Sequence, residues 1–147
     1  MVIDDVMSDE QAIKVLNELL DAEGASLVCR LGELSPAVTY QWARARALVE
    51  QLVARQKAHQ QALAEMILAL RGAPHPPRPP IISTGLHYVD LASLAPAVLA
   101  DLRKLAETYR SAQTTGHPPT DGLIARLRSD REDSLCEWER ALAETAK

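Results

Sequence analysis

The 147-residue sequence contains no phenylalanine, and aromatic residues of all kinds make up only 3% of it. Hydrophobic residues nevertheless account for 47% of the chain, which is more than a disordered protein carries. The core must therefore be built from Leu, Ala, Val and Ile, a mixture that favours helices. No alternation of apolar and polar residues with the period of a strand is present. We therefore predict an all-α protein.

Long apolar runs and clustered positive charge are also missing. No run approaches the ~20 apolar residues that a membrane helix needs, and the N-terminal stretch "MVIDDVMSDEQ" is acidic, unlike a signal peptide. We therefore expect a cytoplasmic protein with no membrane contact. The net charge is −4 with both signs mixed along the chain, so no basic stripe for nucleic acid is formed.

Cysteine and the common catalytic motifs are equally scarce. Two cysteines, Cys29 and Cys136, are too few and too far apart for a disulfide scaffold or a zinc knuckle. We interpret both as free thiols. The sequence contains no glycine-rich phosphate loop and no nucleophile motif.

Local signals divide the chain into four helices. "SDEQ" at Ser8 is typical of a capping box, Ser35-Pro36 begins a second helix, and Thr120 caps a fourth. Five prolines between Pro74 and Pro80 exclude a helix there. The predicted helices cover about 9–33, 36–71, 94–113 and 120–145, with a crossover at 72–93. Because neither half could bury its helices alone, we predict a single domain over 1–147, a four-helix bundle with one long crossover between helices two and three.

Polar residues interrupt the apolar faces of the first three predicted helices near mid-length, and the fourth shows a less clear interruption. Glu23 falls among leucines of the first helix, Gln56 and His59 among apolar residues of the second, and Asp101 on the third. Arg131 lies between leucines of the fourth. Folding the two hairpins at their turns brings these residues to one height inside the bundle. Di-metal carboxylate sites are built at this place in helical bundles.

The sequence here resembles the ferritin-like superfamily, in the style of bacterioferritins and rubrerythrins. "VLNELLDAEGAS" looks like the first helix of that family, so that Glu23 matches its metal-binding Glu. "QKAH" stands where the family has Glu-x-x-His, so that His59 matches the His and Gln56 replaces the Glu. The resemblance implies that Asp101 stands in for the Glu of the third helix, with Glu107 as the alternative.

The sequence departs from the family at several ligand positions. Gln56 is neutral, and the fourth helix contains no His. Asp133-x-x-Cys136 has the spacing of Glu-x-x-His but neither of its two residue types. A di-iron centre needs about six ligands, most of them anionic. The resemblance therefore implies a degenerate di-iron motif whose candidate metal ligands are Glu23, His59 and Asp101.

These observations lead to two classes of function. We expect a non-catalytic protein with a structural or interaction role and without a cofactor, in which Gln56 and Arg131 form a buried polar network with Glu23. Arg131 would supply the positive charge of a metal, and Glu23→Leu would then be neutral or stabilising. The alternative is an iron-containing di-iron oxidoreductase that consumes peroxide or acts as a ferroxidase. A further possibility is a protein that binds one metal ion, such as zinc, through Glu23 and His59.

An apolar strip on the first two helices suggests self-association. Val15, Leu19 and Val28 are apolar residues outside the helix faces that we assign to the bundle core. Because symmetric pairs are the commonest oligomers of soluble proteins, we expect a homodimer through this strip.

Overall fold

Four long α-helices dominate the computed structural model, which describes residues 2–31, 40–76 and 90–145. The elements are α1 (Val2–Gly24), a short α2 (Val28–Leu31), a 3-10 turn (Tyr40–Trp42), α3 (Ala43–Ala69), α4 (Leu91–Arg110) and α5 (Pro118–Thr145). Within these three ranges there is no strand, so the protein is all-α with four principal helices. None of the helices described is both long and apolar enough to span a bilayer.

The helices pack as two antiparallel pairs. In the first pair, the Asn17 amide of α1 donates to the main-chain oxygen of Ala73, just past α3, at 3.2 Å. In the second pair, the Trp138 indole near the end of α5 donates to the main-chain oxygen of Ala95, near the start of α4, at 3.3 Å. The connection between α4 and α5 is short, whereas the one between α1 and α3 includes α2 and the 3-10 turn.

The two pairs pack against each other with α3 beside α5 and α1 beside α4. Arg44 near the start of α3 pairs with Glu144 near the end of α5, and His59 farther along α3 contacts Asp130. These contacts make α3 antiparallel to α5. Since α4 is also antiparallel to α5, helices α3 and α4 point in the same direction at diagonal corners, and α1 lies diagonally opposite α5.

The apolar core forms two clusters, one toward each end of the bundle. One cluster packs Leu52 of α3, Leu91 of α4 and Trp138 of α5 together. The other packs Leu63 of α3 and Leu127 of α5 together with residues of α1 and α4. The buried residues between these clusters are polar: Gln56 and His59 on α3, and Arg131 and Ser134 on α5. A polar layer therefore separates the two halves of the core.

The connection after α3 turns back along α1. The His75 main-chain N–H donates to the Asn17 side chain at 2.8 Å, and the His75 ring lies 2.9 Å from an Asp21 carboxylate oxygen. The chain therefore runs from 72 to 76 beside α1, toward the end of the bundle where α4 begins. Residues 77–89 of the predicted crossover lie outside the described residues, and its last three residues, 91–93, belong to α4.

The first helix differs at both ends from its prediction. It begins at Val2, ahead of the capping box at Ser8. It ends at Gly24, because the chain turns there and the Ser26 hydroxyl accepts a hydrogen bond from the Val28 N–H at 3.1 Å, which starts α2.

The other helices lie close to the predicted ranges. α4 begins at Leu91, three residues early, because the Asp90 carboxylate accepts from the Ser93 N–H at 2.8 Å and caps the helix. α5 begins at Pro118 instead of 120, with proline at a position that needs no N–H donor. Of the predicted second helix, Tyr40–Trp42 form a 3-10 turn and the α-helix itself begins at Ala43. Its predicted start at 36, the predicted end of the first helix at 33 and the side chain of Cys29 lie outside the described residues.

The prediction that an apolar strip is exposed for dimerisation is wrong. Val15, Leu19 and Val28 are all buried within this single chain. Val15 and Leu19 pack in the cluster that contains Tyr109 of α4, and Val28, in α2, packs in the cluster that contains Leu52 of α3. The homodimer itself stays a prediction, without this strip as its interface.

Two glycines in different surroundings test this packing. A Cβ at Gly72 would lie 2.9 Å from three side-chain atoms of Ile13, whereas a Cβ at Gly122, inside α5, meets nothing. We expect Gly72→Ala to lower the free energy of unfolding by ~1–3 kcal/mol through overpacking. Gly122→Ala should raise it by ~0.5–1 kcal/mol, because alanine is the better helix former. Urea denaturation measures both, and a stabilising Gly72→Ala would contradict the packing of the connection against α1.

Candidate functional site

The polar layer is organised around the carboxylate of Glu23, in the last turn of α1. This side chain is 0% exposed. It accepts a hydrogen bond from Arg131 Nε at 3.0 Å through Oε1 and one from Arg131 Nη2 through Oε2. The Tyr109 hydroxyl donates to the same Oε1 at 2.7 Å, and His59 Nδ1 lies 3.4 Å from it. All four long helices therefore meet at one carboxylate.

Arg131 occupies a core position of α5. The buried residues of this helix recur in steps of three and four: Thr120, Ile124, Leu127, Arg131, Ser134, Trp138 and Ala141. The periodicity that buries leucines thus also buries the Arg131 guanidinium, which is 0% exposed. A guanidinium presents parallel N–H donors that match the two oxygens of a carboxylate. The Glu23–Arg131 contact is a fully buried ion pair of this kind.

Gln56 interacts with the backbone of Glu23, whereas Arg131 binds its side chain. Gln56 is 1% exposed, and its Nε2 donates to the main-chain oxygen of Glu23. The last carbonyls of a helix lack partners within the helix. Because α1 ends at Gly24, the Gln56 side chain satisfies one of these carbonyls. An aliphatic residue at position 56 could not form this bond.

His59 links the buried carboxylate to a surface carboxylate. Its ring is 3% exposed, and its two nitrogens face different acids. Nδ1 lies 3.4 Å from Glu23, and Nε2 lies 3.2 Å from Asp130. The Asp130 side chain is 49% exposed. A continuous line of polar contacts therefore runs from the solvent to the centre of the bundle.

The surroundings determine the charge states of the two acids in the network. Burial by itself raises the pKa of Glu23, but the hydrogen bond from His59, the charge of Arg131 and the bonds from Arg131 and Tyr109 outweigh it, so the pKa is lowered. Burial and the neighbouring Glu23 charge raise the pKa of Tyr109, partly offset by Arg131. Glu23 is thus an anion, and Tyr109 is a neutral hydrogen-bond donor.

The structure brings together most, but not all, of the residues singled out in the sequence. Glu23, Gln56, His59 and Arg131 share one network, whereas Asp101 accepts a 2.5 Å hydrogen bond from the Ser26 hydroxyl. Asp101 thereby holds the turn after α1 against α4 and does not supply the α4 side chain that bonds to Glu23.

Sequence reasoning missed two members of the network. The apolar pattern does not show that Tyr109 bonds to Glu23, but a buried tyrosine hydroxyl usually has a hydrogen-bond partner, and that requirement is the signal that could have found it. Asp130 lies next to Arg131 in the sequence, but its contact with His59 could not be predicted, because Asp130 falls outside the apolar pattern of α5.

The residues present do not fit the metal centre that the family resemblance implies. Both oxygens of Glu23 already accept from a guanidinium, which repels a divalent cation. The two nitrogens of His59 point at separate carboxylates, so Glu23, His59 and Asp130 do not converge on one point. In the part of the chain that is described, no three His, Cys, Asp or Glu residues form a group able to hold a metal ion. Cys136 is an exposed free thiol.

Comparison of this chain with family models, with curated proteins and with solved structures gives no match. The chemistry of the site must therefore be argued from its own geometry.

The ion pair changes the expectation for Glu23→Leu. A neutral or stabilising effect was expected from the sequence, but in the structure this substitution leaves the Arg131 guanidinium buried without an anion. We expect Glu23→Leu to lower the free energy of unfolding by ~3–5 kcal/mol. The double variant Glu23→Leu/Arg131→Met should recover part of this loss, because neither charge is then left unpaired, although the Tyr109 hydroxyl loses its acceptor.

Guanidinium chloride denaturation of the four proteins in this double-mutant cycle measures the coupling. The exposed pair of Arg44 and Glu144, with side chains 78% and 41% exposed, serves as the matched control. Its cycle should give at most ~1 kcal/mol. Coupling of similar size in both cycles would contradict the buried ion pair.

The lowered pKa of Glu23 also predicts a pH dependence. A carboxyl group whose folded-state pKa is depressed stabilises the protein above its unfolded pKa, near its ordinary value of 4.5. That contribution is lost as the pH falls through the folded-state pKa. We therefore expect the stability of the wild type to fall more steeply below about pH 4.5 than that of Glu23→Leu/Arg131→Met. Parallel pH profiles of the two proteins would contradict the assignment of the charge to Glu23.

Proposed function

We propose that this protein is a ferritin-like four-helix bundle with a non-catalytic, structural or interaction role. In this proposal the guanidinium of Arg131 supplies the positive charge that metal ions supply in ferritin-like bundles. The observation that carries the proposal is the fully buried Arg131, which donates to both carboxylate oxygens of Glu23.

The directions of the helices support the ferritin-like part of the proposal. Ferritin-like bundles consist of two antiparallel pairs joined by one long crossover. Here α3 and α4 run in the same direction, so the connection between them has to cover the length of the bundle. The segment 72–76 begins this path along α1. We propose that the crossover predicted over 72–93 is this connection, which ends where α4 begins at Leu91.

The residues of α3 and α5 support the non-catalytic part of the proposal. A di-metal site needs Glu-x-x-His on each of two helices. α3 presents Gln56 and His59 at this spacing, and α5 presents Arg131 and Ser134, all four of them buried. One carboxylate is thus replaced by an amide and the other by a cation, while a hydroxyl replaces the second histidine. The site has the hydrogen-bonding groups of a structural network, and its central cation belongs to the protein.

One observation favours the alternative of a single-metal site. Glu23 Oε1 and His59 Nδ1 lie 3.4 Å apart, as neighbouring ligands of one ion do. Such an ion would have to displace the guanidinium from Glu23 and leave Arg131 buried without a counter-ion. This cost is the reason that we place the structural role first.

Metal analysis distinguishes the two functions. We expect purified wild-type protein, incubated with ferrous iron in air or with zinc and then desalted, to retain no stoichiometric metal and to show no thermal shift. The variant Gln56→Glu/Arg131→Glu removes the internal cation and adds two carboxylates beside Glu23 and His59. We expect it to bind zinc and to gain thermal stability from the binding, as any ligand specific for the folded state provides.

His59→Ala in both backgrounds is the matched control. Zinc binding by the redesigned variant should disappear when His59 is removed. Stoichiometric iron or zinc in the wild type, lost in His59→Ala, would overturn the proposal in favour of a metal-dependent function.

A further inference from the structure

A cavity of about 720 Å³ lies between α1, α3 and the connection that follows α3. Most of its wall is apolar and is formed by Leu20 and Ala25 near the end of α1, Ala64 of α3, and Pro74 and Pro76 of the connection. Sites that bind small molecules usually have volumes of ~300–1,000 Å³ and walls of this kind. The cavity is therefore large enough for a small organic molecule with an apolar body.

Small residues keep the cavity open where α1 and α3 face each other. Gly24, Ala25 and Ala64 line it there, and none of them has a side chain that extends beyond Cβ. A Cβ built at Gly24 would have only the Gln60 side chain within 4 Å, at 4.0 Å. The described side chains therefore do not fill this space.

The wall formed by the connection is held against α1 without any ligand. The His75 main-chain N–H donates to Asn17 Oδ1 at 2.8 Å, and the Asn17 amide donates to the main-chain oxygen of Ala73 at 3.2 Å. The His75 ring is held as well, because its Nδ1 lies 2.9 Å from an Asp21 carboxylate oxygen. A wall that is already in place lowers the cost of ordering the protein when a ligand binds.

The charges around the cavity select the class of ligand. Asp21 and His75 are the ionisable residues among the described ones that line it, which include no lysine or arginine. Because the His75 ring carries at most one positive charge against the negative charge of Asp21, this pair is neutral or negative. An anion would therefore be repelled by the carboxylate, whereas a cation would be attracted to it.

We propose that this cavity binds a small organic amine, with its apolar body between α1 and α3 and its ammonium group on the Asp21 carboxylate. A carboxylate has about four acceptor positions, so Asp21 can accept from an ammonium group as well as from His75. The Asp21 side chain is 52% exposed, so the ammonium group keeps part of its hydration there. The cost of removing its water is correspondingly small.

The cavity is separate from the buried network. Glu23 and His59 belong to that network, whereas Gly24 and Gln60, which follow them directly in the sequence, line the cavity. The inference therefore does not depend on the proposed function, and the failure of either leaves the other standing.

NMR titration of the backbone amides of the wild type with three ligands of similar shape tests the choice of ligand. At neutral pH phenethylamine is a cation, 2-phenylethanol is uncharged and phenylacetate is an anion. We expect phenethylamine to shift the amide signals of Gly24 and Ala64 saturably, with an affinity about tenfold or more above that of phenylacetate. Equal affinities for the three ligands would overturn the proposal, as would the absence of saturable binding by phenethylamine.

Two variants with a matched control locate the binding. Ala64→Phe fills the cavity from α3 and should abolish the binding of phenethylamine, whereas Ala58→Phe, at an exposed position of the same helix, should not change it. Asp21→Asn keeps an oxygen that can accept from His75, and it should lower the affinity for phenethylamine to that for 2-phenylethanol. Circular dichroism shows that each variant is folded. Unchanged phenethylamine binding in folded Ala64→Phe or in folded Asp21→Asn would overturn the proposal.

Discussion

A carboxylate at the centre of a helical bundle is stable only with a positive charge beside it, and this requirement governs the structure around Glu23. α1 and α5 lie diagonally across the bundle, and the Glu23–Arg131 ion pair joins them through its centre. The carboxylate also receives Tyr109 from α4 and faces His59 of α3. Removing any one of these polar groups would leave another without its partner in a region that water does not reach.

The position of the ion pair also fixes how the helices align. Apolar clusters lie on either side of the polar layer and consist mainly of aliphatic side chains, apart from Trp138 and Tyr109. Such clusters alone would tolerate a shift of one helix by a turn. A shift of α5 by one turn would separate Arg131 from Glu23 and bury both charges unpaired. The polar layer thus specifies one alignment, a use of buried polar groups known from coiled coils.

Much of the fold followed from the spacing of apolar residues, because steps of three and four decide which face of a helix is buried. That rule predicted four helices and the interior positions of Glu23, Gln56 and His59. It could not predict the end of α1 at Gly24, because that end depends on the hydrogen bonds of Ser26 with Val28 and with Asp101, which is distant in the sequence. It also could not assign the partners within the network, since the reach of Tyr109 toward Glu23 is a property of the packed bundle.

The buried ion pair exists only if Glu23 is charged. Carbon-13 NMR of the Glu23 side-chain carboxyl group measures this charge during an acid titration. We expect the chemical shift of an ionised carboxylate from about pH 8 down to about pH 5, with protonation only below the ordinary pKa of 4.5. This result would show that Arg131 and its neighbours more than offset the cost of burial. A Glu23 carboxyl group that is protonated at neutral pH would contradict the account, because the ion pair at the centre of the bundle would then not exist.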